Sequence, residues 1–434
     1  MGNTDNTLYI TIEQLRVGLY VHLDLNWTEH PFSFSSFKIK NQDQIDIISG
    51  LGLQRIRYDP AKSDSMPLPP APAAEAAVPT KPTPLPPAEQ QTMPPVRTEV
   101  PRGKQERIEQ LKHIRDEILH VEKQFNLASK TVKGIIGGVA RRPERSRHQA
   151  EALVDEMVET IISDAGVVMH AMSQAVGEGA YVHSLNVAVL SLMLAKALDL
   201  GARDIKHLGL GAVFHDIGKL AIASEVVHKT ESLTAEEQAL MEHHCYHGAD
   251  IARKLGLSIR ETEIILQHHE CFDGSGYPRR LTGDKISLLS TIVAIANAYD
   301  NLVNPPNIAD ALTPYEALSH LFAFKREKFQ EAPLRTFIHC LGVYPPGSIV
   351  HLSNEMLGLV LSVNTSNSLK PKVLVYDPNI PVDEALIIDM GKEDDLSITQ
   401  SLRPGQLPRE IYAYLSSCKN VTYYLEPNKQ NQAK

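Results

Sequence analysis

A chain of 434 residues with 43% hydrophobic content has enough apolar material for two or three domains with substantial cores. Its net charge of -9 argues against general nucleic-acid binding, which favours a basic face, yet leaves room for a small anionic ligand wherever bound cations invert the local field. The start MGNTDNTLYI lacks a basic stretch followed by an apolar core, Asn6 breaks the myristoylation pattern, and no apolar run reads as long enough to span a bilayer. The four cysteines, Cys245, Cys271, Cys340 and Cys418, include no CxxC pair, so the expectation is a cytoplasmic, reduced protein without a disulfide framework or zinc knuckle.

Residues 1–59 read as a small α+β domain: the alternating run ITIEQLRVGLYVHLDL suggests strands, and QDQIDIISGLGLQRIRYD suggests a helix leading into another strand. Trp27, His30 and Phe32 read as core aromatics, with a ligand or partner surface as the alternative. Residues 60–104 carry PLPPAPAAEAAVP and PTPLPPAEQQTMPP, which cannot hold a regular helix or sheet, and read as a linker. Beyond it Ile108, Leu111, Ile114 and Ile118 mark one helical stripe, and the run from Ala150 to Met172 marks another. Residues 105–144 are therefore expected to be a helical connector, either the entrance to a bundle or a homodimer contact.

From His183 to Asp300 the phrases HSLNVA, HDIGK, HHCYHG, HHECFDGSGYP and ANAYDN follow one another in mainly helical text. A lone histidine on an apolar helix is usually a core or surface residue, but this order and spacing point to one shared site. On a helix His215 and Lys219 would share a face and Asp216 would project roughly 100° around from His215, so an adjacent His and Asp can reach one cation. Imidazole suits iron, manganese or zinc, and a carboxylate between two such ions can bridge them. His268 and His269 precede Glu270 and DGSGYP, whose glycines and Pro278 end a helix in a rigid loop with amide N–H groups available to phosphate. Cys245 and Cys271, beside these histidines, read as packing residues rather than thiolate ligands.

Taken together, HDIGK, HHE and DGSGYP resemble the HD-GYP family of bacterial metal-dependent phosphohydrolases, over residues 145–344. The resemblance implies an all-α HD-type helical bundle there and makes the whole chain multidomain and mainly α. It also implies hydrolysis of the second messenger cyclic di-GMP to pGpG or GMP through a metal-bridged hydroxide, at a centre of iron or manganese. Matched to the family motif, the metal ligands would be His183, His215, Asp216, His244, His268, His269 and Asn297, with Asp216 and Lys219 catalytic. Lys219, Asp273, Gly276, Tyr277, Pro278 and Arg279 would bind substrate. His244 is preferred over His243 and His247 because the family places this ligand four residues before a glycine, here Gly248. The phrases LRVGLYV, WTEHPF and RIRYD are similar to a domain of unknown function that often precedes HD-GYP domains.

Three departures from the family pattern carry weight. Its closing ligand is an Asp in an AD pair, but here the pair is Ala296 and Asn297, and a neutral carbonyl oxygen is a weaker donor than carboxylate. Gly179 stands where three-metal members can carry a Glu, so two divalent ions are expected. After Asp300 the text NLVNPPNIADAL lacks the basic residues many members turn to substrate, and Arg279, Arg280, Lys325 or Arg326 would have to compensate. The alternative to a phosphodiesterase is thus a degenerate receptor that binds a cyclic dinucleotide and signals through its flanking domains to partner proteins. Residues 345–434, with GSIVHLSNEMLGLVLSV, PKVLVYD and EALIIDM, read as a small β-rich appendage without a catalytic constellation.

Overall fold

The computed structural model describes residues 8–25, 32, 36–69, 102–162, 167–172, 179–229, 231–307, 310–364, 367–378, 380, 385–393, 396–415 and 422–427. The chain divides into two compact units, residues 1–112 and 113–434.

In the first unit, strands β1 (Leu8–Thr11), β2 (Tyr20–His22) and β3 (Ser36–Lys38) precede helix α1 (Gln42–Gly50) and strand β4 (Arg55–Tyr58). The four strands form one antiparallel sheet in the order β1-β4-β2-β3. Alternation turns Ile10, Val21, Ile56 and Tyr58 inward, where Leu19 and Ile48 complete the core. Asn41 starts α1 by accepting a hydrogen bond from the Gln44 amide. Phe32 packs against Phe37 with ring centroids 4.4 Å apart and joins the edge of this core, whereas Trp27 and His30 lie outside the described residues. So do residues 70–101 of the Pro/Ala-rich stretch.

The long helix α2 (Arg102–Gly138) is followed by α3 (Pro143–Ile162), strand β5 (Val167–Met172), α4 (Gly179–Ala197) and α5 (Ala202–Phe214). Next come the short α6 (Ser224–Val227) and then α7 (Ala235–Glu242), α8 (His244–Leu255), α9 (Ile259–Gln267), α10 (Leu288–Val303), α11 (Pro314–Phe324) and α12 (Glu331–Leu341). Their starts are written in the sequence: capping boxes Thr234/Glu237, Ser258/Glu261 and Thr313/Glu316 open α7, α9 and α11, and Ser287 caps α10. Gly256, at φ +74°, ends α8 in the left-handed conformation that glycine tolerates best.

The bundle is organised around α4, which packs on α3, α5, α10 and α12. It is apolar on every side, as a helix with neighbours all around must be: Leu185, Val187, Ala188, Leu190, Leu192 and Leu194 are buried. Its window Ala180–Ala197 also has the length and hydropathy to cross a bilayer, which corrects the reading that no run is long enough. Most of that window is interior to the bundle.

Strands β6 (Ile349–Leu352), β7 (Leu357–Asn364), β8 (Asn367–Val375), β9 (Leu386–Asp389) and β10 (Ile398–Leu402) precede helix α13 (Arg409–Leu415) and strand β11 (Thr422–Pro427). They share a seven-stranded antiparallel sheet with β5, in the order β10-β6-β7-β5-β11, with β8 and β9 extending it from β7. The strand β5 corrects the helical stripe expected as far as Met172. The run VVMHAM is short and apolar, and such runs do not reveal their period until a partner is known. Here the partners are distant: Val168 pairs with Asn364 and Val167 with Pro427. Strand β11 also lies against α3 and α4, and Arg403 pairs with Glu316 of α11, so the sheet is built into the bundle's flank.

Candidate metal centre

The pentad HDIGK does not continue one helix. Helix α5 ends at Phe214, His215 is its C-cap, Asp216 sits at φ -96° and ψ 6°, and Ile217–Ala221 tighten into a 3-10 turn. In that turn residues three apart eclipse, so Lys219 reaches back to Asp216 rather than aligning with His215: Nζ donates to Oδ2 at 2.6 Å. The break also allows contact with α8. A Cβ on Gly218 would lie 1.8 Å from the His244 carbonyl oxygen and 2.5 Å from the Gly248 amide nitrogen, so Gly218 lets the two segments touch backbone to backbone.

Around Asp216 the structure gathers the histidines that the motifs singled out. Asp216 Oδ2 lies 3.5 Å from His215 Nε2 and 3.7 Å from His183 Nε2. On the other side Oδ1 lies 3.4 Å from His244 Nε2 and 3.7 Å from His268 Nε2. His269 belongs to the second cluster, in which one ligand atom from each of Asp216, His244, His268 and His269 falls within 4.8 Å of the others. The carboxylate therefore stands between two groups of imidazoles.

Helix ends orient three of these rings. His215, His244 and His268 each direct Nδ1 to the carbonyl three residues earlier, Ala212 (2.7 Å), Met241 (2.6 Å) and Ile265 (2.8 Å). Those carbonyls belong to the last turns of α5, α7 and α9, where acceptors are left over. A carbonyl can only accept, so Nδ1 carries the proton and Nε2 presents a lone pair inward. His183, inside α4, instead directs Nδ1 to the Asp300 carboxylate of α10 at 2.6 Å.

Electrostatics support the same assignment for His215 and His244. Burial drives His215 and His269 well below the ordinary imidazole range and His244 down to about 4, so these rings are neutral at physiological pH. Burial also acts to lower His183, but the Asp300 hydrogen bond and the charges of Asp300 and Asp216 outweigh it and raise the ring above its usual value. For Asp216 burial alone would favour the neutral acid. The Lys219 ammonium and the surrounding imidazoles overcome it and hold the carboxyl well below the usual carboxylate range.

The donor set fits divalent cations. Asp216 Oδ1 is a buried carboxylate oxygen with no hydrogen-bond partner, an expensive arrangement unless a cation completes it. The Nε2 atoms of His244 and His268 face each other at 3.2 Å, and those of His215 and His183 at 3.3 Å. Two lone pairs at that separation repel, and a cation beside each pair turns the repulsion into coordination. An imidazole-rich set with one shared carboxylate suits iron, manganese or zinc.

The DGSGYP loop is pinned to this cluster. Glu270, buried, accepts hydrogen bonds from the amides of Arg279 (2.7 Å) and Leu281 (2.9 Å), and Tyr277 N donates to the His269 carbonyl at 3.2 Å. Gly276 packs so closely that a Cβ would lie 2.3 Å from the Cys271 nitrogen and 2.4 Å from the His269 oxygen. The Tyr277 ring stacks on His269 at 4.5 Å, and burial pushes its hydroxyl pKa upward, keeping it a proton donor. Pro278 follows, its carbonyl 3.5 Å from the Tyr246 hydroxyl.

Other expected site residues stand apart. Asp273 is exposed and accepts from the Ser275 amide at 2.9 Å, shaping the turn. The Arg279 side chain is exposed, Lys325 is partly buried, and Arg326 faces Glu331 at 3.7 Å. Asn297 is buried on α10, and its Oδ1 accepts from Asn301 Nδ2 at 2.7 Å, so the oxygen expected to ligate metal already has a donor. His243 is exposed and His247 partly so. The Cys245 thiol is buried 3.6 Å from His244 Nε2, and burial raises its pKa, which favours the neutral packing form. Sequence reasoning missed Glu270 and Asp300 as partners of the site. The signal for Asp300 was available, since an acid on the apolar helix LLSTIVAIANAYDNLV must find a buried donor.

Residues 8–157 match a domain of unknown function (DUF3391), and residues 156–331 match the HD domain. Over 408 residues the chain is 26% identical to a cyclic di-GMP phosphodiesterase of Pseudomonas aeruginosa, covering 92% of each protein. It is 26% identical over 224 residues to the cyclic di-GMP phosphodiesterase PdeB of Borreliella burgdorferi, covering 52% of this chain and 58% of that one. It is also 33% identical over 150 residues to a 3'3'-cGAMP-specific phosphodiesterase of Vibrio cholerae, covering 34% of this chain and 29% of the relative.

Proposed function

Because the chain belongs to the HD-GYP family, with a DUF3391 domain ahead of its HD domain, we propose that it is a metal-dependent phosphodiesterase that hydrolyses cyclic di-GMP to pGpG or GMP. The observation that carries this reading is Asp216, a carboxylate with two imidazole Nε2 atoms within 3.7 Å of each of its oxygens. Two divalent ions, iron or manganese, would be held by His183 and His215 on one side and His244, His268 and His269 on the other, with Asp216 shared. Bound there, such ions supply Lewis acidity that lowers the pKa of water and offsets phosphate charge.

The chain's own groups do the rest. Lys219, held beside Asp216, donates to a non-bridging phosphate oxygen; losing one such donor typically costs about 10²–10³-fold in rate. The loop from Asp273 to Arg279, braced by Glu270, orients the diester, with the Tyr277 hydroxyl as a donor at its edge.

Purified protein loaded with Fe(II) or Mn(II) and incubated with cyclic di-GMP should release linear dinucleotide or GMP, measured by chromatography. Tight binding without product would instead favour the receptor reading, which the Asn297–Asn301 hydrogen bond motivates. A competition series that includes cyclic GMP-AMP separates the substrate choices.

A further inference from the structure

Asp300 is a fully buried carboxylate with a role that no motif assigns. Its Oδ2 accepts from His183 Nδ1 at 2.6 Å, and its Oδ1 accepts from Asn186 Nδ2 at 2.8 Å and Asn304 Nδ2 at 2.9 Å. Among the described residues, these three side chains surround it, one imidazole and two neutral amides. A carboxylate fully buried among one imidazole and two amides costs more than a well-packed apolar side chain in the same space.

Its place in the fold explains the expense. His215, His244 and His268 stand at helix ends and find spare carbonyls three residues back. His183 is the fifth residue of α4, where the helix itself uses the backbone acceptors, so its ring needs a partner from another element. Helix α10 packs on α4 and supplies that partner. The carboxylate lies on the Nδ1 side of the ring, whereas Nε2 faces His215 at 3.3 Å and Asp216 at 3.7 Å, so Asp300 acts through the imidazole rather than as a ligand.

We propose that Asp300 is the positioning residue of His183, fixing its proton on Nδ1 and its Nε2 lone pair toward a cation, while Asn186 and Asn304 fix which carboxylate oxygen does so. The inference rests on the two-ion reading above. It makes an isosteric substitution informative. In Asp300→Asn the single carbonyl oxygen satisfies Asn186 and Asn304, which leaves an amide N–H facing His183. The ring must then accept at Nδ1, carry its proton on Nε2 and present a donor to the cation.

The test is Mn(II) binding by the metal-stripped full chain, read from the electron paramagnetic resonance of free Mn(II), beside the melting temperature of the same apo protein. The native chain should bind two equivalents. Asp300→Asn should weaken one of them by about 10–100-fold, the usual effect of losing such an outer partner. It should do so at least as severely as Asp300→Ala, although Asn is the milder change for apo melting. His183→Ala should lose the same equivalent, and adding Asp300→Asn to it should cost nothing more. If Asp300→Asn binds both ions like the native chain, or if the double variant loses further affinity, Asp300 does not work through His183. A native chain that binds no Mn(II) would instead remove the two-ion reading and this inference with it.

Discussion

At the scale of single residues, Asp216 bears the largest electrostatic demand, because one of its oxygens is buried without a hydrogen-bond donor while both face imidazole lone pairs. Asp216→Ala should strip the bound metal and lower hydrolysis by about 10²–10³-fold or more, checked by metal analysis and product formation. Asn297→Asp offers an anionic oxygen where Asn301 already donates, and should retain metal as well as the native chain or better. The neutral histidines predict the pH dependence of the metal-free protein. His244 sits at about 4 when folded, against 6.5 when unfolded, so between those values the unfolded chain binds a proton that the native state refuses. Stability present above about 6.5 is therefore lost as pH falls toward 4, on the order of 2–3 kcal/mol for this ring. His215 and His269 act in the same direction, whereas His183, raised, contributes stability below its unfolded pKa that is lost as pH rises. Melting of chelated protein at successively lower pH should show a net loss, and a flat profile would contradict it.

At the scale of elements, the site is assembled from helix terminations, and that was half legible. The histidines, their order and the glycine-rich loop could be read directly. The pentad HDIGK could not be read as a break, because nothing in five residues shows that α5 stops at Phe214 and that the chain tightens to eclipse Lys219 and Asp216. Gly218 explains why the break is needed: the 3-10 turn lies directly on the start of α8. Gly218→Ala would drive a methyl into the His244 carbonyl, and α8 must retreat. The expected result is a loss of about 1–3 kcal/mol by chemical denaturation, with reduced metal retention because His244 moves with its helix. Unchanged metal content at full stability would show that the contact is slack. Asp300 escaped the sequence reading for a related reason. It is three residues beyond Asn297 on an apolar helix, and its partner His183 lies 117 residues earlier in the chain.

At the scale of the whole molecule, the α+β start, the helical bundle and the strand-rich end were legible because each has its own period and punctuation. The strand β5 was not, since its identity depends on Asn364 and Pro427 far along the chain. The C-terminal strands are consequently a structural part of the second unit. Truncation after Tyr344 removes both neighbours of β5 and should lower the melting temperature and metal retention together, measured by calorimetry and metal analysis. A truncated chain that melts where the full chain does would show the sheet to be dispensable. The same pairing sets a timetable for biosynthesis. Val167 leaves the ribosome 260 residues before its partner Pro427, a delay of roughly 10–50 s at typical elongation rates. Throughout that interval at least one backbone edge of β5 is unpaired, so the nascent polypeptide must be shielded from rival strands until Thr422–Pro427 arrives.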